Sequence, residues 1–389
     1  MRLDGVRVLD LTRLLPGPYA TQLLADSGAD VVKIEDTGAG DYARHMPPAT
    51  EAGVGAVFDA VNRGKRSVAL DLKSEGGREA FYALVEDADV VVESFRPGVT
   101  ERLGVDYETL TNYREDLVYC SLTGYGQEGP HADIAGHDLN YIGLAGLLDM
   151  TREDEEEKPR MPGYQIADMA GGLLAAYSVC SALLSRELGN TGGEYLDVAL
   201  TDAVVSFSQA LAPQALAGDD PRPGETPLTG EYPWYDVYEA ADGNYVTLGA
   251  LEPQFWSAFC EAVDRPELIG KHMTDDPAER QAVREELEAI FAERTRDEWA
   301  EAMADVDAAV DGVYSPAETF EHPQIEARGY VERPDDGTPR VGFPLCGSDI
   351  EHSPTVDVPG HGEHTDALLE AAGLSETDIE RLREEGAIN

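Results

Sequence analysis

Lysine is scarce in this chain. Only Lys33, Lys65, Lys73, Lys158 and Lys271 stand among 29 basic residues, against 76 acidic ones, and the formal net charge is -47. The acids run along the whole chain and form no single block, which excludes an acidic interaction tail. An acid surplus with so little lysine suits a surface bathed in high salt, where screening cuts self-repulsion to a few ångströms. The chain therefore reads as halophilic. The same charge repels nucleic acid and anionic membranes, so neither is an expected partner. Cysteine is sparse too. Cys120, Cys180, Cys260 and Cys346 lie far apart with no C-x-x-C pair. That excludes a zinc site and a disulfide framework, no metal is expected, and the four read as buried, reduced thiols. The N-terminus carries charges where a signal peptide needs an apolar run, so a cytoplasmic location is expected. The longest uncharged stretch, 169–185, is slightly short for a membrane span and rich in Gly, Ala and Ser. It predicts a buried central helix. No internal repeat is visible.

What is present begins with alternating strands and helices. Val6 to Leu11 reads as a strand, Pro16-Gly17-Pro18 opens a helix to Asp26, and Ala29 to Glu35 is a second strand. Ser67 to Leu72, then a helix over 75–87, then Ala88 to Glu93 repeats the unit. Such β-α-β units imply a parallel sheet. Leu117 to Leu122 and Glu194 to Leu200 add strands, on either side of the long helix after Asp168. A helix is expected from Thr201 to Leu211. The fold class is α/β, a large doubly wound, Rossmann-like domain. A Pro- and Gly-rich linker follows. Beyond it, Tyr235 to Ala240 and Tyr245 to Gly249 flank the turn Asp242-Gly243 as a hairpin, and amphipathic helices near 252–263, 277–293 and 296–304 complete a smaller α+β domain. The expected division is 1–216, the N-terminal part of the large domain; 217–230, the linker; 231–325, the small domain; and 326–389, a return to the large domain.

Two central segments carry candidate chemistry. Gly136-His137-Asp138-Leu139-Asn140-Tyr141 places an imidazole in a Gly-dense loop after a strand, where α/β proteins seat ligands. Imidazole titrates near neutrality and can pass a proton either way. Asp168-Met169-Ala170-Gly171-Gly172 opens the long apolar helix. Asp168 reads first as an N-cap, a role that can coexist with that of a base. Ala170, Gly171 and Gly172 leave backbone N–H groups uncovered in the first turn, and these are candidates for holding an oxyanion. Glu252, in Leu251-Glu252-Pro253-Gln254-Phe255, ends a strand and starts a helix. On its own it reads as a surface or first-turn glutamate. Gly38-Ala39-Gly40-Asp41-Tyr42-Ala43 imitates a dinucleotide-binding turn, but Arg44 to Pro48 make a poor helix start, so no nicotinamide site is expected. His361-Gly362-Glu363-His364 has the wrong spacing for zinc, and its histidines read as solvated.

Further motifs carry a resemblance. Leu3 to Leu11, Pro16-Gly17-Pro18, Gly28 to Glu35, Asn62-Arg63-Gly64-Lys65-Arg66-Ser67, Asp71-Leu72-Lys73, Glu93 to Val99 and Pro359 to Thr365 are similar to those of the family III CoA-transferase (CaiB/BaiF) superfamily. With Gly136 to Tyr141 and Glu252 to Phe255 added, the chain resembles the α-methylacyl-CoA racemases within it. The resemblance implies a two-base 1,1-proton transfer on an acyl-CoA thioester. Asp168 acts on one face of the α-carbon and His137, assisted by Glu252, on the other. The enolate is held by N–H groups at the start of the Asp168 helix. No separate cofactor is implied, since CoA arrives as part of the substrate. CoA contacts carry over to Leu70, Asp71, Leu72, Lys73, Ser94, Phe95, Arg96, Arg102, Gly136, His137, Asp138, Leu139, Asn140 and Tyr141. Lys73, Arg96 and Arg102 suit phosphate groups chemically. The resemblance also implies an interlocked homodimer, each site lying between one chain's large domain and its partner's small domain. Asp36 departs from the pattern, since relatives often carry Arg there to meet the nucleotide; Arg66 is a candidate substitute. The alternative activity is CoA transfer between carboxylic acids, with Asp168 carrying an acyl anhydride. A third reading is a non-catalytic acyl-CoA binding protein.

Overall fold

The computed structural model describes residues 2–152, 154–329, 331–333, 338–348 and 357–389. Six parallel strands form the main sheet: β1 (Arg7–Asp10), β2 (Asp30–Glu35), β3 (Arg66–Ala69), β4 (Val90–Glu93), β5 (Val118–Thr123) and β6 (Glu194–Ala199). Their order is β3-β2-β1-β4-β5-β6. β1 pairs with both β2 and β4, Val8 lying opposite Val31 on one side and Val90 on the other. Strand order therefore reverses between β1 and β4, and a crevice opens beyond their C-terminal ends. The central strands are short, mostly apolar runs because both faces are covered. Val8, Leu9, Val32, Val68, Val90 and Val91 are fully or almost fully buried.

Two compact units emerge, one of residues 1–147, 162–207 and 324–389, the other of 148–161 and 208–323. In the first, the Glu75–Glu86 helix places Phe81 and Leu84 in one core with Leu368, Leu369, Ile379 and Leu382 of the chain's last two helices. Backbone ties fix that return: His364 N–H donates to the Ser67 carbonyl at 2.9 Å and Asp71 N–H to the Ala387 carbonyl at 2.9 Å. Within the expected return segment, residues 330, 334–337 and 349–356 lie outside the described residues. The boundary expected at 216 is displaced. The single helix expected from Thr201 to Leu211 is broken into Leu200–Val205, a 3-10 turn at Ser206–Ala210 and a short helix at Ala212–Ala217, the last within the second unit. The 148–161 excursion also joins the second unit, where Arg222 pairs with both Asp149 and Asp220.

In the second unit, β7 (Tyr235–Glu239), β8 (Tyr245–Gly249) and β9 (Val310–Gly312) form an antiparallel sheet. It packs on helices Pro253–Ala262, Pro277–Phe291 and Arg296–Met303 around buried Trp234, Trp256 and Trp299. The reading of four buried thiols is corrected: Cys120 and Cys260 are buried, whereas Cys180 and Cys346 are exposed. Cys180 sits on the exposed side of the Ile166–Glu187 helix, with Leu173, Tyr177 and Leu184.

Candidate active site

The C-terminal edge of the six-stranded sheet carries two clefts. One, of about 400 Å³, lies over β1, β2 and β3 and is lined by Arg13, Asp36, Leu70, Asp71, Leu72 and Lys73 among others. The second, of about 220 Å³, lies over β4 and β5. Ser94, Phe95, Arg96, Gly136, His137, Tyr141 and Asp168 line it. Arg13 and Phe95 line both. Glu93, 2% exposed, ends β4 and accepts the Phe95 N–H at 2.7 Å, fixing the turn into this loop. Burial pushes its carboxyl up to about 7.

The six-residue motif around His137 folds for identifiable reasons. Tyr141 lies across Gly124 and Gly136, where added Cβ atoms would come within 2.3 Å and 2.7 Å of its ring. Its hydroxyl donates to the Gly136 carbonyl at 2.6 Å. The Asn140 side-chain oxygen accepts the His137 N–H at 3.0 Å, closing the turn that starts the Asp138–Leu144 helix. His137 is thus held at the cleft wall with its side chain exposed. Asp138 reaches away from this turn. Its Oδ1 accepts the N–H of Ala167 at 2.7 Å and of Asp168 at 3.1 Å.

That contact corrects two expectations. Asp168 is not the N-cap; the helix runs Ile166–Glu187, Gln165 precedes it, and the capping carboxylate comes from Asp138. The Asp168 carboxyl is left to the cleft. Burial raises its pKa to about 7, and the neighbouring Asp138 charge adds to the rise. The oxyanion site expected at this helix start is overturned by the same contact, because the Ala167 and Asp168 N–H groups are committed to Asp138. The next, of Met169, bonds the Gln165 carbonyl at 3.0 Å. Gly171 and Gly172 serve packing. A Cβ on Gly171 would meet Leu200 at 2.2 Å, and one on Gly172 the Pro16 carbonyl oxygen at 2.5 Å.

Other expected residues divide. Arg102, on the Val99–Leu103 helix, and Lys73 are exposed at the same sheet edge, and Leu139 is exposed on its short helix. Glu252 belongs to the second unit. It is the N-cap position of the Pro253–Ala262 helix, yet its side chain makes no cap bond and is exposed. Arg66 does not stand in for an arginine at position 36. It begins β3 at the opposite edge of the sheet, paired with Asp30, the first residue of β2. His361 and His364 are structural rather than solvated: His361 Nε2 lies 2.8 Å from the Asp36 carbonyl, and His364 Nδ1 accepts the Ser67 N–H at 3.3 Å. Gly38 to Ala43 leads into a 3-10 turn at Tyr42–His45. Among the described residues, no group of three His, Cys, Asp or Glu is placed to hold a metal ion.

Sequence reasoning missed Arg13 and the buried ion pairs beneath it. Lys33 and Asp41 pair at 2.9 Å, and Lys65 and Asp10 at 3.0 Å, all with side chains fully buried. Asp41 Oδ1 also accepts the Leu14 N–H at 3.1 Å. Leu14 has φ 66, a left-handed conformation that costs a non-glycine residue roughly 1–2 kcal/mol. Such strain persists where the surroundings impose it, commonly at ligand sites.

A doubly wound sheet with two clefts at its switch point, one carrying a carboxyl and an imidazole, is the frame of an α/β enzyme. The family is shown by comparison. The model of CoA-transferase family III matches residues 3–365, and the chain belongs to that family. It is 38% identical to the succinyl-CoA:mesaconate CoA-transferase of Haloarcula marismortui, over 96% of each chain. It is 33% identical to the alpha-methylacyl-CoA racemase of Homo sapiens, over 100% of this chain and 98% of that one. Among solved structures it resembles a CAIB/BAIF family protein from Brucella suis, with TM-score 0.79 and 33% identity, covering 95% of this chain and 99% of that one.

Proposed function

We propose that this enzyme racemises 2-methylacyl-CoA thioesters by 1,1-proton transfer. The observation that carries the reading is that His137 and Asp168 line one cleft, with Asp168 held near a pKa of about 7. A group with that pKa takes and returns a proton at neutral pH with little loss in either direction. In the scheme, the Asp168 carboxylate removes the α-proton from one face. The electron pair passes into the thioester carbonyl as an enolate, and the imidazolium of His137 returns a proton to the other face. In the reverse direction the two exchange roles. Donors for the enolate oxygen come from elsewhere in the cleft than the first turn of the Asp168 helix, whose N–H groups are taken. CoA enters as part of the substrate, with the Leu70–Lys73 cleft for its nucleotide half. Glu252 enters the scheme only through the resemblance, as an aid to His137. The proposal includes a homodimer. Leu173, Tyr177, Leu184 and Leu188 form an exposed apolar stripe along one helix, which suits burial against a second copy.

A second reading is favoured by the Haloarcula relative, a CoA-transferase. There the Asp168 carboxylate attacks the thioester carbonyl, the C–S bond breaks, CoA leaves as thiolate, and an acyl anhydride remains. A carboxyl near 7 is about half ionised at neutral pH, so the Asp168 pKa serves this role as well as the first. His137 has no part in it.

Deuterium oxide separates the two. With enzyme, one enantiomer of a 2-methylacyl-CoA and no acceptor acid, racemisation places deuterium at the α-carbon. CoA transfer from succinyl-CoA to an added carboxylate without any exchange rejects the proposal. His137→Ala should slow exchange from one enantiomer more than from the other, and equal, negligible effects remove His137 from the scheme.

A further inference from the structure

We propose that Arg13 binds the pyrophosphate of the CoA moiety and takes the part of the arginine that Asp36 replaces. The assignment rests on the acyl-CoA reading above and adds a residue that neither the motifs nor the resemblance indicated.

Arg13 is placed for this role. It comes after β1 at the point where strand order reverses, and it lines both clefts. CoA has a nucleotide half and a pantetheine arm, joined by a pyrophosphate. A cation shared by two adjoining clefts is placed for the group that joins the two halves.

The side chain is also held without being neutralised. The Arg13 guanidinium carbon lies 5.5 Å from the centre of the Phe95 ring and 5.6 Å from that of Tyr42. Aromatic faces orient a guanidinium and leave its charge in place. The backbone is fixed as well. Leu14, the next residue, is kept left-handed by Asp41, which is pinned in turn by Lys33. The sharp change of direction after Arg13 is therefore imposed from beneath.

Charge points the same way. Among the described residues Arg13 has no carboxylate partner, in a chain of 76 acids. Arg66, the substitute expected from sequence, is already paired with Asp30 at the far edge of the sheet. A planar guanidinium suits two phosphate oxygens better than a point charge does.

Calorimetric titration at high salt tests the assignment. Wild type, Arg13→Ala and Arg13→Lys are each titrated with CoA and with 3′-dephospho-CoA, after melting curves show the three equally folded. Should Arg13→Ala fold poorly, Arg13→Gln takes its place. The expected result is a loss of about tenfold or more for both ligands in Arg13→Ala, with partial recovery in Arg13→Lys. Because neither ligand carries an acyl group, such a loss also excludes a role restricted to an acyl carboxylate. Unchanged affinity for CoA overturns the assignment. A loss seen with CoA and absent with 3′-dephospho-CoA overturns it as well, in favour of the 3′-phosphate. Wild type that binds neither ligand brings down the acyl-CoA reading itself, whereas normal wild type with an unaltered variant brings down only the role of Arg13.

Discussion

The two edges of one sheet treat their arginines differently. At the N-terminal edge they are neutralised: Arg7 and Arg66 pair with Asp30, Arg114 and Arg186 with Asp89, and Arg63 with Asp26. At the C-terminal edge one arginine, Arg44, is neutralised by Glu35, the last residue of β2, whereas Arg13, Lys73, Arg96 and Arg102 make no ion pair among the described residues. Arg78, Lys158, Arg160, Lys271, Arg294 and Arg328 also make no ion pair among the described residues, so it is the gathering of several such cations at one sheet edge, beside the clefts, that suits an anionic ligand. Net charge alone gave the opposite impression, of a protein that repels polyanions. The local arrangement decides, because high salt screens the distant acids far more than contacts inside a cleft.

Substitutions at either edge put this contrast at risk. The largest effect is expected at Asp168. Asp168→Asn should lower turnover by roughly 10²- to 10⁴-fold, the range for removing a general acid–base. The variant has a second readout. The Asp168 carboxyl lies near 7 in the folded chain, against an ordinary value of 3.8. Between those values the folded state keeps a proton that the unfolded state has released, so wild-type stability falls as pH rises, by up to about 1.4 kcal/mol per unit. Asp168→Asn lacks this penalty and should gain stability relative to wild type from about pH 4 to 7. A stability difference that stays flat with pH contradicts the assignment.

Next in size is the response to salt. Circular dichroism and light scattering along a descending salt series should show a folded dimer at high salt and lost structure at low salt, as repulsion among 76 acids becomes unscreened. A monomer at high salt removes the dimer from the proposal, and full structure at low salt removes the halophilic reading. Smaller effects should separate the two edges directly. Arg96→Ala should weaken CoA binding about tenfold with little change in melting temperature. Arg66→Ala should leave CoA affinity unchanged and cost no more than about 1 kcal/mol of stability, the usual worth of a solvent-accessible pair. Equal losses of affinity would erase the distinction between the edges.

Much of the fold was legible in the sequence because buried parallel strands are short apolar runs between helical periods. β1, β2, β4 and β5 fall within two residues of the stretches read as strands. The motif around His137 was legible too, and the structure adds how its glycine and tyrosine fit together. What escaped the sequence depends on partners distant along the chain. Asp168 looked like a cap because Asp at a helix start usually is one; Asp138, thirty residues earlier, supplies the cap. Gly171 and Gly172 looked like an open backbone, since nothing local reveals Leu200 and Pro16 packed against them. Arg66 looked available because its neighbour Asp30 belongs to another strand. Arg13 carried no local signal, since its meaning lies in the pairing it lacks.

Everything proposed for the cleft turns on His137 and Asp168 exchanging a proton with a thioester α-carbon. The decisive test is mass spectrometry of a single 2-methylacyl-CoA enantiomer, incubated with enzyme in deuterium oxide at high salt and without an acceptor acid. One deuterium should appear at the α-carbon, the product should be racemic, and both changes should vanish in Asp168→Asn. Unlabelled, optically pure substrate from an enzyme that still moves CoA between carboxylic acids would rule the proton exchange out.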